Sequence, residues 1–126
     1  MTVHVTRTGG HRAEIAWDTD DDPSGYLARA VESEQLEYAL EALGATTDQI
    51  LRVPVTPEEE DQVLTALRHT ATLARILERR AAIQVVQMRD QFGISWRRIA
   101  SALFGDAGRQ SSVRRMYESG RRHIGS

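Results

Sequence analysis

The sequence predicts an α+β fold that is mainly α, and three observations carry that prediction. β-Branched and alternating residues flank Gly9-Gly10, which reads as an N-terminal β-hairpin. Apolar residues recur at three- and four-residue steps from 57 to 92, which reads as one long helix. Two short amphipathic segments then sit on either side of a glycine-containing turn, "FGDAG". At 126 residues, with 40% hydrophobic and 27% charged side chains, the chain suits one compact domain or a small body with an appendage. No apolar run approaches the ~20 residues of a bilayer span, so no membrane partner is expected. The start, MTVHVTRTGGHRAE, lacks an apolar leader, and a cytoplasmic location is expected. With no cysteine, neither a disulfide framework nor a thiolate metal site is available.

In the hairpin, a two-residue Gly-Gly turn would put Val3 and Val5 on the face opposite Ile15 and Trp17. A three-residue loop with Gly10 left-handed instead pairs Val3 with Ile15 and Val5 with Ala13, gathering one apolar face, and is the preferred register. A lone hairpin is marginal in water, so it needs further strands, helices or a second subunit. "DTDDDPSG" is a solvated acidic turn leading into a helix of about 24–43, started by Pro23 or Ser24 and stopped by Gly44. Its outer face carries Glu32, Glu34, Glu37 and Glu41. "ILRVPVT", 50–56, reads as a third short strand with Leu51, Val53 and Val55 on one face. Pro54 removes a ladder donor and confines it to an edge.

The long helix begins at Pro57, with Thr56 as cap and Glu59 completing a capping box. Its stripe runs through Val63, Leu67, Thr70, Ala74, Leu77, Ala81, Val85, Met88 and Phe92, widened by Leu64, Ala71, Ile76 and Ile83. Unbroken, it would span roughly 54 Å at 1.5 Å per residue. Either a second subunit packs on it or a break near Arg79–Ala82 splits it. Ser95 then caps a helix that presents Trp96, Ile99, Ala100 and Leu103 on one face, with Ile94 able to staple onto Ile99. Gly105 breaks it. Gly108 or Asp106 caps a last helix of about 109–119, whose inward positions are Ser112 or Val113, Met116 and Tyr117. Ala100 is small where two tightly crossing helices leave no room for bulk. The organisation expected is therefore an acidic hairpin and helix region at 1–56, the long helix at 57–92, and a basic segment at 93–126 on its end.

Charge sharpens this division. All sixteen basic residues are arginine, a bias that a GC-rich coding sequence produces and that also suits bidentate phosphate and guanine contacts. From Gly93 onward seven arginines face only Asp106 and Glu118, a balance of +5. Residues 1–92 carry nine arginines against sixteen acids, a balance of −7. An anionic partner is indicated at one end only.

The stretch "SWRRIASALFGDAGRQSSVRRMY" resembles the helix-turn-helix family of bacterial DNA-binding proteins. More narrowly, it resembles small actinobacterial regulators with an SWxxIAxALGVSRQ-type motif. Trp96, Ile99, Ala100, Ala102, Leu103, Arg109, Gln110 and Arg115 match that pattern, and Tyr117 lies near its aromatic position. The similarity covers about a fifth of the chain and does not extend to residues 1–56. Between Leu103 and Arg109 this chain has five residues where the pattern has three, with Gly108 in place of the capping serine. The lengthened turn leaves open which side chain meets which base.

The resemblance implies a second helix in the major groove, with Arg109, Gln110, Ser111 or Ser112, and Arg114 near base edges. Arginine fits guanine O6/N7 and glutamine fits adenine N6/N7. Ser111 and Ser112, with the helix-start amides, suit phosphate oxygens. Arg97 and Arg98 on the preceding helix suit the DNA backbone, and Arg115 belongs to the same DNA-binding set. Arg121, Arg122 and His123 are expected as a basic tail suited to the backbone or a neighbouring groove. Trp96 and Tyr117 are expected as packing residues. The four histidines have no ligand spacing, and no nucleophile motif or P-loop is present, so no metal, no cofactor and no enzyme activity are expected.

The expected function is sequence-specific binding of double-stranded DNA as a homodimeric transcriptional regulator, nucleoid-associated within the cytoplasm. The alternative is a protein-interaction module, antitoxin-like or sigma-factor-like, that engages a protein partner through the acidic N-terminal half. That half carries fourteen acids against Arg29 and Arg52 over residues 13–61.

Overall fold

The computed structural model describes residues 3–52 and 56–125. Among these, a two-stranded antiparallel hairpin and six helices make the chain α+β and mainly α. The chain divides into two compact units, Met1–His69 and Thr70–Ser126, so the long helix contributes to both. No helix among the described residues is long and apolar enough to cross a membrane.

In the first unit, β1 (His4–Gly9) pairs with β2 (Arg12–Ala16), setting Val5 opposite Ile15 and Arg7 opposite Ala13. The expected register is thus two residues out. An irregularity between Arg7 and Gly9 lets Gly9 pair with Arg12, leaving Gly10 and His11 as the turn. The Arg7 guanidinium donates to the carbonyls of Gly9 and Gly10, both at 3.0 Å, and braces that turn. Because side chains alternate with period two, a two-residue slip preserves the shared apolar face.

The acidic turn has a structural task. Asp21 Oδ2 accepts the Asp18 amide at 2.9 Å, closing a short 3₁₀ turn over Thr19–Asp21. The Asp22 carboxylate accepts the amides of Leu27 (3.0 Å) and Ala28 (3.1 Å) at the start of α1 (Tyr26–Glu32). The single helix expected over 24–43 is two helices. Glu34, at φ +65°, separates α1 from α2 (Gln35–Gly44). Neither glycine nor proline marks that break, and the apolar period does not reveal it.

Residues 50–52 are not strand, since α3 covers Thr47–Arg52; the rest of the expected strand, 53–55, lies outside the described residues. Tyr38 of α2 stacks on His69 of the long helix with centroids 4.8 Å apart. No described residue of the first unit is fully buried. Leu43 is 83% exposed, Leu51 77% and Ile50 64%.

The long helix α4 (Glu60–Asp90) follows a 3₁₀ turn at Pro57–Glu59. Thr56 makes no side-chain cap, so the expected capping box is absent; the Glu59 amide donates instead to the Thr56 carbonyl at 3.0 Å. No break occurs near Arg79–Ala82. The chain leaves the helix at Gly93, whose φ of +61° favours glycine, and the Ile94 amide turns back to the Met88 carbonyl at 3.1 Å.

The core of the second unit lies where the end of α4 meets α5 (Trp96–Phe104) and α6 (Gln110–Ile124). Val85, Ile99, Ala100 and Val113 form it, and Met88, Ile94, Trp96, Phe104, Met116 and Tyr117 pack around them. Ala100 and Val113 have no exposed surface. The expected stripe narrows here, because Phe92 and Leu103 are exposed and Phe104 packs inward instead.

Candidate nucleic-acid interface

The bihelical element that holds the arginines is locally encoded. Ser95 Oγ accepts the Arg98 amide at 3.2 Å and starts α5. Gly105, at φ +64°, ends it. In the lengthened turn, Asp106 Oδ1 accepts the Gly108 amide at 2.8 Å and the Asp106 carbonyl accepts the Arg109 amide at 3.2 Å. Asp106 thus shapes the turn, whereas the expected cap at Asp106 or Gly108 is replaced by Arg109, which has no capping side-chain bond.

The last helix does not end at 119. It runs through Gly120 to Ile124, so Arg121, Arg122 and His123 are helical rather than a tail. Gly120 is buried because α4 lies against it. A Cβ there would clash with the Ala82 carbonyl oxygen and sit 2.7 Å from its carbon and 2.8 Å from Val86 Cγ2. From sequence, a glycine near the end of an amphipathic run reads as a stop. Only its neighbour across the helix contact shows that it is a close-approach position.

With Val113 and Gly120 facing inward, helical spacing decides which candidates face outward. Ser111, Arg115 and Arg122 are exposed along one stripe with Glu118. Gln110 is half-buried and its Nε2 donates to the Ala107 carbonyl at 3.4 Å; Ser112 is also half-buried. The Arg109 guanidinium lies 4.3 Å from the Phe104 ring centroid, held against the turn. Arg114 is exposed with its guanidinium 5.5 Å from the Trp96 centroid. Arg97 and Arg98 are exposed on α5. Arg121 is drawn back by an ion pair to Asp90 at 3.5 Å.

Asp90 and Arg89 were not singled out by sequence, yet they anchor the element. Asp90 Oδ1 accepts the Tyr117 hydroxyl at 2.8 Å, and that bond raises the phenol's pKa, with burial adding to the effect. Arg89 lies 4.6 Å from the Trp96 centroid and donates to the Ile94 carbonyl at 3.2 Å. Trp96 also meets Tyr117 edge-on at 5.2 Å. Trp96 and Tyr117 are therefore packing residues, as expected. A signal was available in the Arg-Asp pair that ends a long helix, but its partners lie in a later element.

The charge division follows the structural units more sharply than the sequence division at 93. Met1–His69 holds five arginines against fourteen carboxylates, −9, and Thr70–Ser126 holds eleven against four, +7. Among the described residues no group of three or more His, Asp or Glu side chains is placed to hold a metal ion. The hairpin register sets His4 opposite Ala16 and leaves His11 in the turn. A scan of protein-family models, a search of curated proteins and a search of solved structures each find no match to this chain.

Proposed function

We propose that this chain is a sequence-specific DNA-binding protein, a dimeric transcriptional regulator that lays α6 in the major groove. The observation that carries this reading is the outward stripe of α6. Ser111, Arg115 and Arg122, flanked by Arg114, are exposed on a helix whose opposite side is sealed by Val113 and Gly120. Arg97 and Arg98 extend the basic surface onto α5, within reach of backbone phosphates. The +7 balance of this unit supplies the long-range attraction that nucleic acid requires. In this reading Ser111, Arg114 and Arg115 take the main base-edge positions, with Arg109 at the rim. Gln110 joins them only by giving up its bond to Ala107. Dimerisation is supported by the first unit, whose exposed Leu43, Ile50 and Leu51 await cover.

The test is a gel shift on promoter-region fragments across a salt series. Binding should weaken steeply with salt, and Arg115→Ala should lose roughly tenfold or more of the preference for the cognate fragment. Salt-insensitive binding, or an Arg114→Ala/Arg115→Ala variant that discriminates like wild type, would sink the reading. The −9 balance and exposed apolar side chains of the first unit support the second reading, a protein-interaction module. A stoichiometric protein partner recovered without enriched DNA fragments would favour it.

A further inference from the structure

The face of α4 that lies under Gly120 through Ala82 and Val86 continues towards the helix N-terminus as Arg79, Glu78 and Arg75. A face that continues a core contact ordinarily continues it with apolar residues, and Ile76 and Leu77 are present but turned to other sides of the helix, where both are exposed. Instead Arg75, Glu78 and Arg79 line an open cleft of about 340 Å³ with Ser119 and His123 of α6. Arg75 and Arg79 stand one turn apart, both exposed, and neither is ion-paired to a described residue, Glu78 included. Two exposed arginines one turn apart on α4 thus share the lining of one small space with Ser119 and His123 of α6.

We propose that this cleft is an oxyanion site for phosphate groups, with Arg75 and Arg79 as its charged donors and Ser119 and His123 as its second wall. Arginine forks match the geometry of tetrahedral oxyanions, and such charge-assisted bonds are the strong ones. Glu78 opposes the anion, weakening the site without cancelling two guanidinium charges. The position on α6 indicates where the phosphate comes from. At about 100° per residue, Ser119 and His123 fall on one flank of the outward stripe, and Arg114 and Arg121 fall on the other. A helix lying in a groove has a phosphate backbone along each flank. DNA backbone is therefore the favoured source, and that choice rests on the DNA-binding reading above; a free phosphate compound would use the same donors.

The experiment titrates the full chain with inorganic pyrophosphate at low ionic strength while following the His123 imidazole proton by NMR. The chain has four histidines, so the resonance is assigned by its loss in His123→Gln. A saturable shift is expected, weakened roughly tenfold or more in Arg75→Ala/Arg79→Ala, tightened in Glu78→Gln and unchanged in Arg114→Ala/Arg115→Ala. If the double alanine variant loses its far-UV CD spectrum, Arg75→Gln/Arg79→Gln replaces it. An unmoved His123, or equal affinity in the double variant, overturns the proposal. On a DNA fragment the same variant should lower the log–log salt slope by about 1.8, two contacts at ~0.9 each. Retained pyrophosphate binding with an unchanged slope assigns the cleft to a free phosphate compound. Failure to bind any DNA sinks the proposed function, and the pyrophosphate titration still decides the cleft.

Discussion

Replacing Gly120 with alanine adds one methyl group at the closest approach of two helices. That methyl would meet the Ala82 carbonyl, with its carbon at 2.7 Å, and Val86 Cγ2 at 2.8 Å. Two of the three obstructing atoms are backbone, which cannot rotate away, so α4 and α6 must separate. Overpacking of this kind costs about 1–3 kcal/mol, and a backbone obstacle places it near the upper end. Alanine returns ~1 kcal/mol through its better helix propensity in the interior of α6. The net expectation is a loss of about 2 kcal/mol, which in a small domain lowers Tm by roughly 8–16 °C. The assay is urea and thermal unfolding followed by Trp96 fluorescence in a Trp17→Phe background, since the chain has two tryptophans. Glu118→Ala, exposed on the same helix, serves as control and should stay within about 0.5 kcal/mol of wild type. Adding Val86→Ala should fail to rescue Gly120→Ala, because the carbonyl obstacle remains. A Gly120→Ala protein as stable as wild type, or more so, would show that the two helices do not approach this closely.

Ser95→Ala removes the cap on α5 and should cost about 1 kcal/mol by the same unfolding assay, with Ser95→Asp retaining most of it. Asp22 has a lowered pKa, chiefly because the Leu27 amide donates to its carboxylate. Its contribution is therefore complete above the ordinary carboxylate range and lost as pH falls through the depressed folded value. Asp22→Asn should flatten that acid-side loss when helix content is followed by CD. Tyr117 has a raised pKa, so its bond to Asp90 contributes below the usual phenol value and is lost as pH rises through the folded one. Tyr117→Phe should remove a phenolate absorbance that appears above the usual phenol range and blunt the alkaline loss of stability in the second unit.

The parts legible in sequence are those set by residues one to four apart. Ser95 caps α5 because its hydroxyl reaches an amide three residues on, and Gly105 ends the helix because it accepts a left-handed backbone. The three- and four-residue apolar steps likewise put Val85, Ile99 and Ala100 on inward faces, while the choice between Ser112 and Val113 fell to the structure, which buries Val113. Hydrophobic alternation determined which faces of the hairpin coincide, but not the register, since a slip of two residues leaves every side chain on its face. That offset was decided by the irregularity at Thr8 and the two bonds from Arg7. The break at Glu34 kept the apolar period in phase and so left no mark on the pattern.

The arginines show the same division. Sequence alone established that positive charge gathers at the C-terminal end, because charge adds along the chain without regard to geometry. Where each guanidinium group is directed was decided by its contacts in the fold. Asp90 holds Arg121 from 31 positions earlier in the chain, Phe104 holds Arg109, and Ala82 fixes the rotation of α6 through Gly120. That rotation puts Arg115 outward and half-buries Gln110, and no periodicity contains it, because it depends on one close contact between residues 38 positions apart.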